Sequence, residues 1–140
     1  MVEGSTAAAG DARLIEVAVS PGELIDKISI LEIKAERITD PDKLRNVVHA
    51  LDILRAARAG AMPQSAELAR LETELKRANE ALWEIEDALR ACEAAKDFGP
   101  HFVELARSVY LTNDRRAATK KQIDLLFGSA LTDEKSYESY

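Results

Sequence analysis

Asn113, Arg116 and Lys120 occupy positions where the last helical stretch of this chain calls for apolar residues. Continuing the three–four spacing from Phe102 through Ala106 and Val109 brings 113, 116 and 120 onto the inward face before Ile123 and Phe127 restore it. Arginine offers a planar fork for a carboxylate or phosphate, lysine a point charge, and asparagine can orient either. Opposite them, on a second long helical pattern, Glu86 lies near the Leu82 direction of the helical wheel and is the candidate acid or base. The first helix adds a polar second face of Asp26, Lys27, Lys34 and Arg37, and Tyr110 flanks the cluster on the last helix. Such groups do not stay buried unpaired: they must satisfy one another, water or a ligand. Two readings follow. A polar network can fix helix register, or the cations can bind a small anionic metabolite with Glu86 as its proton carrier.

The elements that position these residues are helices. After a short alternating run, Leu14 to Val19, which reads as one strand, Ser-Pro-Gly-Glu at 20–23 supplies a cap, a proline at the first helical position and a capping-box acid. The first helix then runs to about Ile38, with Leu24, Ile28, Leu31, Ala35 and Ile38 as its main stripe. Ile30 and Ile33 on its other side predict neighbours on two sides. Asp40-Pro41 opens a second helix ending near Gly60, with Leu44, Val47, Val48, Leu51 and Leu54 inward. Ser65 caps a third, whose Leu68, Leu71, Leu75, Ala78, Leu82, Ile85, Leu89 and Cys92 form a coiled-coil-like seam. Gly99-Pro100 turns the chain into the fourth, from about His101 to Phe127.

The expected fold is therefore all-α: an antiparallel bundle of two helical hairpins, the second long, plus one short N-terminal strand. Residues 1–12 read as a flexible lead, 13–128 as one domain and 129–140 as a polar tail. Antiparallel pairing about the Gly99 turn brings Asn113 opposite Ile85 and Glu86, Arg116 opposite Leu82, and Lys120 opposite Asn79.

Composition excludes several functions. With 140 residues, 46% apolar and 31% charged, the chain can bury one core without metals or disulfides. A formal charge of −6 argues against nucleic-acid binding, and no apolar run approaches a membrane span. The first twelve residues lack the pattern of a secretory signal, and the lone Cys92 suits a reducing cytoplasm. Glu84 and Asp87 in Glu-Ile-Glu-Asp have the spacing of helical metal sites but point away from the seam. His49 and His101 stand alone, so neither a metal nor a cofactor is expected.

The stretches GELIDKISILEIKAERITD (22–40), LWEIED (82–87), ARSVYLTNDRRA (106–117) and EKSY (134–137) together resemble an uncharacterised bacterial and phage domain-of-unknown-function family. That resemblance implies no activity, cofactor or catalytic residue, and it leans toward surface-polysaccharide and sugar-transfer pathways. The expected function is a small cytoplasmic accessory module that binds a protein partner, a second copy of itself included. The alternative is an enzyme or binding protein for a small anionic ligand.

Overall fold

The computed structural model describes residues 14–129, 134 and 136–140. Four helices follow one another: α1 (Pro21–Arg37), α2 (Pro41–Ala61), α3 (Ala66–Ala95) and α4 (Pro100–Leu126). Their starts are set by local chemistry. The Ser20 hydroxyl accepts from the Glu23 N–H at 3.1 Å, Asp40 from Asp42, and Ser65 from Leu68 at 3.1 Å. Proline opens α1, α2 and α4, where its missing N–H has no intrahelical partner to lose. Ser20 is buried, so removing its cap with Ser20→Ala is expected to cost about 1 kcal/mol, read as a lower urea midpoint with unchanged slope.

Helix α1 is the hub. It packs against α2 on one side and against both members of the α3/α4 hairpin on the other. Leu24, Ile25 and Ile28 join Leu51, Met62, Leu68, Leu71, Leu75 and Ile123 in one apolar core. The two-sided burial expected of α1 is present, with Ile33 only 1% exposed on the face opposite Leu31. On α2, Val47 and Leu51 point inward, but Val48 is 43% exposed. Only α1 packs substantially against α2, so one narrow stripe suffices.

The short strand read at Leu14–Val19 is not formed. Residues 14–19 are irregular and exposed, with Ile15 at 88% and Val17 at 72%. Alternation alone suggested it, but a strand requires a ladder partner, and none pairs with it among the described residues. The lead expected at residues 1–12 lies outside the described residues. So does part of the 129–140 tail, whose described residues 134 and 136–140 are irregular.

The long hairpin is buried along only half its length. On α3 the buried positions are Leu68, Leu71, Leu75, Ala78 and Asn79, followed by Cys92 alone; on α4 they begin at Thr112. Between these limits Leu82, Ile85, Leu89, Phe102 and Val109 are half-exposed. The reason is the length of α1, whose last turn reaches α3 at Trp83 and Glu84 through Arg37. Beyond that level the hairpin is a two-helix arm.

Candidate functional site

Gly22, Asp26, Ser29 and Ile33 follow the four–three–four spacing of one helical stripe, and all four are buried. This stripe meets the polar interruption of α4. Asp26, 1% exposed, receives both arms of the Arg116 guanidinium: Nε donates to Oδ1 at 2.9 Å and Nη2 to Oδ2 at 2.5 Å. From α3 the Asn79 amide donates to Asp26 Oδ1 at 2.9 Å and to Ser29 Oγ at 2.7 Å. The Ser29 hydroxyl in turn donates to the Asp26 carbonyl at 2.8 Å. One turn nearer the end of α4, Lys120 Nζ lies 2.8 Å from Glu23 Oε1. A further turn along, Asp124 Oδ1 accepts from the Gly22 N–H at 2.7 Å. This last bond satisfies one of the amides that the start of α1 cannot pair internally.

Burial is the largest influence on the Asp26 carboxyl and pushes its pKa up. Hydrogen bonds from Arg116 and Asn79, with the charges of Arg116 and Lys120, more than reverse it and hold the group below its ordinary value. Asp26 is thus a buried, committed carboxylate.

The residues expected to cluster are distributed as follows. Arg116, Lys120, Asn113 and Asp26 do meet or adjoin one another. Asn113 is half-buried, and its Oδ1 lies 3.4 Å from Arg116 Nη1. Glu86 does not face the core: its side chain is 57% exposed and pairs with Arg90 at 3.1 Å. Its 40° or so of offset on the wheel matters because α1 has already left the hairpin at that level. Arg37 pairs with Glu84 at 2.6 Å and lies over the Trp83 ring at 5.7 Å, away from Asp26. Lys34 is half-buried near the end of α1, and Lys27 is half-exposed, 3.7 Å from Glu23. Tyr110 is 44% exposed and packs edge-on against Tyr140, whose phenol donates to Asp114.

Glu23, Ser29 and Asp124 were not among the candidate site residues; Asn79 was expected in the central polar cluster, across from Lys120, but not as a ligand-binding residue. A signal existed for three of the network positions. Gly22, Asp26 and Ser29 share one face of α1, and small or short polar residues on an otherwise apolar helix mark a close approach to a polar partner. Among the described residues no group of three or more His, Cys, Asp or Glu converges as a metal site.

The model of the Family of unknown function (DUF6165) matches residues 15–140. The chain belongs to that family. No curated protein and no solved structure matches it. Among the segments that carry the family likeness, the first contains Gly22, Asp26 and Ser29, and the third contains Asn113 and Arg116. The polar network therefore lies within the part of the chain that the family describes, and the family brings no reaction to it. Among the described residues no helix is long and apolar enough to cross a membrane.

Proposed function

We propose that the chain is a helical interaction module whose arm, the far half of the α3/α4 hairpin, pairs with the same arm of a second copy. One observation carries this reading: burial stops at Asn79 on α3 and resumes only at Thr112 on α4, apart from Cys92, although the apolar seam continues. Beyond α1 a groove of about 450 Å³ runs between the two helices, with Leu89, Phe102, Ala106 and Val109 along it. Glu86, Arg90 and Glu93 flank these residues, so the rim carries both signs of charge, as self-association across a two-fold axis requires. Two such arms side by side make a four-helix bundle, the arrangement in which a three–four seam is fully covered.

The anion-binding alternative draws less support. Arg116 and Lys120, the cations it relies on, are engaged by Asp26 and Glu23. A ligand would have to displace the buried Asp26 carboxylate to recruit Arg116 and the half-buried Glu23 carboxylate to recruit Lys120. The setting proposed is the cytoplasm, supported by the lone cysteine, Cys92, which is buried. A link to surface-polysaccharide or sugar-transfer pathways rests on family resemblance alone.

Light scattering coupled to size exclusion tests the pairing. The wild type is expected at the mass of two chains. Ala106→Arg is expected at the mass of one, because Ala106 is exposed in the groove and the larger side chain blocks the partner without disturbing the core. A wild type that stays monomeric at high micromolar concentration overturns the proposal.

A further inference from the structure

A second concavity, separate from the arm groove except for the shared rim residue Glu86, opens where α1, α3 and α4 converge. Its volume is about 440 Å³, within the range of small-molecule sites. Ile30 and Ile33 from α1 and Leu82 and Trp83 from α3 form its apolar wall, with Asn79 and Arg116 at the inner end and Glu86 and Asp87 at the outer.

The charges here can be accounted for individually. Arg116 is matched by Asp26, and Glu86 by Arg90 at 3.1 Å. Arg37, over the Trp83 ring, is matched by Glu84. Asp87 lines the cleft with no ion pair among the described residues. The unbalanced charge of the cleft is therefore one carboxylate. At the inner end, Asn79 is 6% exposed and its amide nitrogen is committed to Asp26 and Ser29. Asn79 lines the cleft and no donor among the described residues meets its oxygen, so the cleft offers that oxygen as an acceptor.

We infer that this cleft binds a small monocation: an ammonium on an apolar or aromatic body, with a neutral hydroxyl or amide donor at the opposite end. The ammonium pairs with Asp87, with Glu86 beside it, and the body lies along Leu82 and Trp83. The neutral donor meets the Asn79 carbonyl. The guanidinium of Arg116 disfavours a second cation at the inner end, and the carboxylate of Asp87 disfavours an anion at the outer end. Asn79 and Asp87 are eight residues apart on α3, about 12 Å along the axis, which sets the length of the ligand.

Trp83 is the single tryptophan of the chain, so its fluorescence reports occupancy of this cleft. The probes are tyramine, phenethylamine, which lacks the hydroxyl, and 3-(4-hydroxyphenyl)propionate, which replaces the ammonium by a carboxylate. Excitation is at the red edge of the tryptophan band, where phenols do not absorb. Tyramine is expected to give a saturable change, phenethylamine to bind several-fold more weakly, and the carboxylate not to bind. Asp87→Asn, an exposed substitution that leaves the fold intact, is expected to weaken tyramine about tenfold, the scale of a charge-assisted hydrogen bond. N-acetyl-lysine methylamide presents the same ammonium on an aliphatic stem. If it binds more tightly than tyramine, the natural source is a lysine of a protein partner; if less tightly, a free amine; both support the site. The inference is overturned if the carboxylate binds as well as tyramine, if Asp87→Asn leaves tyramine affinity unchanged, or if no probe gives a saturable change at tens of millimolar. Ala106→Arg is expected to bind tyramine as wild type does, which separates this site from the arm.

Discussion

Replacing Arg116 with methionine is expected to destabilise the chain by about 3–5 kcal/mol at neutral pH, because it strands the Asp26 charge in a buried site. Asp26 is 1% exposed and draws both of its strongest bonds from that guanidinium. Asn79 and Lys120 remain nearby, but an amide and a more distant ammonium do not replace a two-pronged ion pair. Denaturant titration checks the magnitude, and pH dependence checks the cause. In the wild type the Asp26 pKa is lowered from 3.8, so its contribution to stability is complete above that value. It is lost as pH falls through the lower folded value. Without Arg116, burial, the largest influence, is opposed only by Asn79 and Lys120, and the folded pKa is expected to rise above the unfolded one. The variant then gains stability from protonating Asp26 as pH falls, so the gap to wild type narrows in acid. A gap that is constant from neutral pH to pH 4 would show that the loss comes from packing.

The second large effect is expected at a residue with no side chain. A Cβ on Gly22 would lie 2.3 Å from the Lys120 carbonyl oxygen and 2.9 Å from Asp124 Oδ1. The first is a backbone atom in the middle of α4 and cannot swing aside. Gly22→Ala must therefore push α1 off α4, stretching the Gly22–Asp124 bond and the Lys120–Glu23 pair with it. A loss of about 3 kcal/mol, or roughly 10 °C in Tm, is expected. Gly60 supplies the control. It lies in the last turn of α2 with nothing within 4 Å of the position its Cβ would take. Gly60→Ala is expected to be neutral or to stabilise by up to about 0.5 kcal/mol, part of the helix-propensity difference. Calorimetry on both variants distinguishes the steric account from a general effect of replacing glycine: equal shifts would reject it.

The first three helices were legible because spacing and caps agree at each, and the fourth because Gly99-Pro100 marks its start. Leu68, Leu71, Leu75 and Ala78 alternate steps of four and three, and Ser20, Asp40 and Ser65 each accept the expected amide. The 14–19 strand was misread because alternation reports which way side chains point and says nothing of whether a ladder exists. The polar interruption on α4 was legible as an anomaly, and Asp26 as part of its cover. That Asp26 is its hub was not, since a one-dimensional pattern does not distinguish a two-pronged bond from mere proximity. Glu86 shows a related limit. Seam positions are inward only where a third helix covers them, and the wheel of α3 does not record where α1 ends. The same blindness hid the arm: Leu75 and Leu89 belong to one seam, yet one is fully buried and the other half-exposed.

The distribution of burial and polarity divides the molecule by task. Near the chain termini of the hairpin, three levels of ionic or charge-assisted contact tie α1 to α4, and the apolar core fills the space beside them. Toward the Gly99 turn the same two helices carry an uncovered seam. A short central helix accounts for both, covering one half of the hairpin and leaving the seam of the other half exposed, the surface proposed above for a second copy.

The claim beneath this division is that Asp26 and Arg116 act as one structural unit, and a double-mutant cycle tests it most directly. Asp26→Leu, Arg116→Met and the double variant are compared with wild type by urea unfolding at neutral pH. The double variant, with neither charge left to desolvate, is expected to recover at least about half of what Arg116→Met alone loses. The coupling between the two sites is then above about 2 kcal/mol. Losses that simply add would mean that the two side chains do not depend on each other, and would contradict the account.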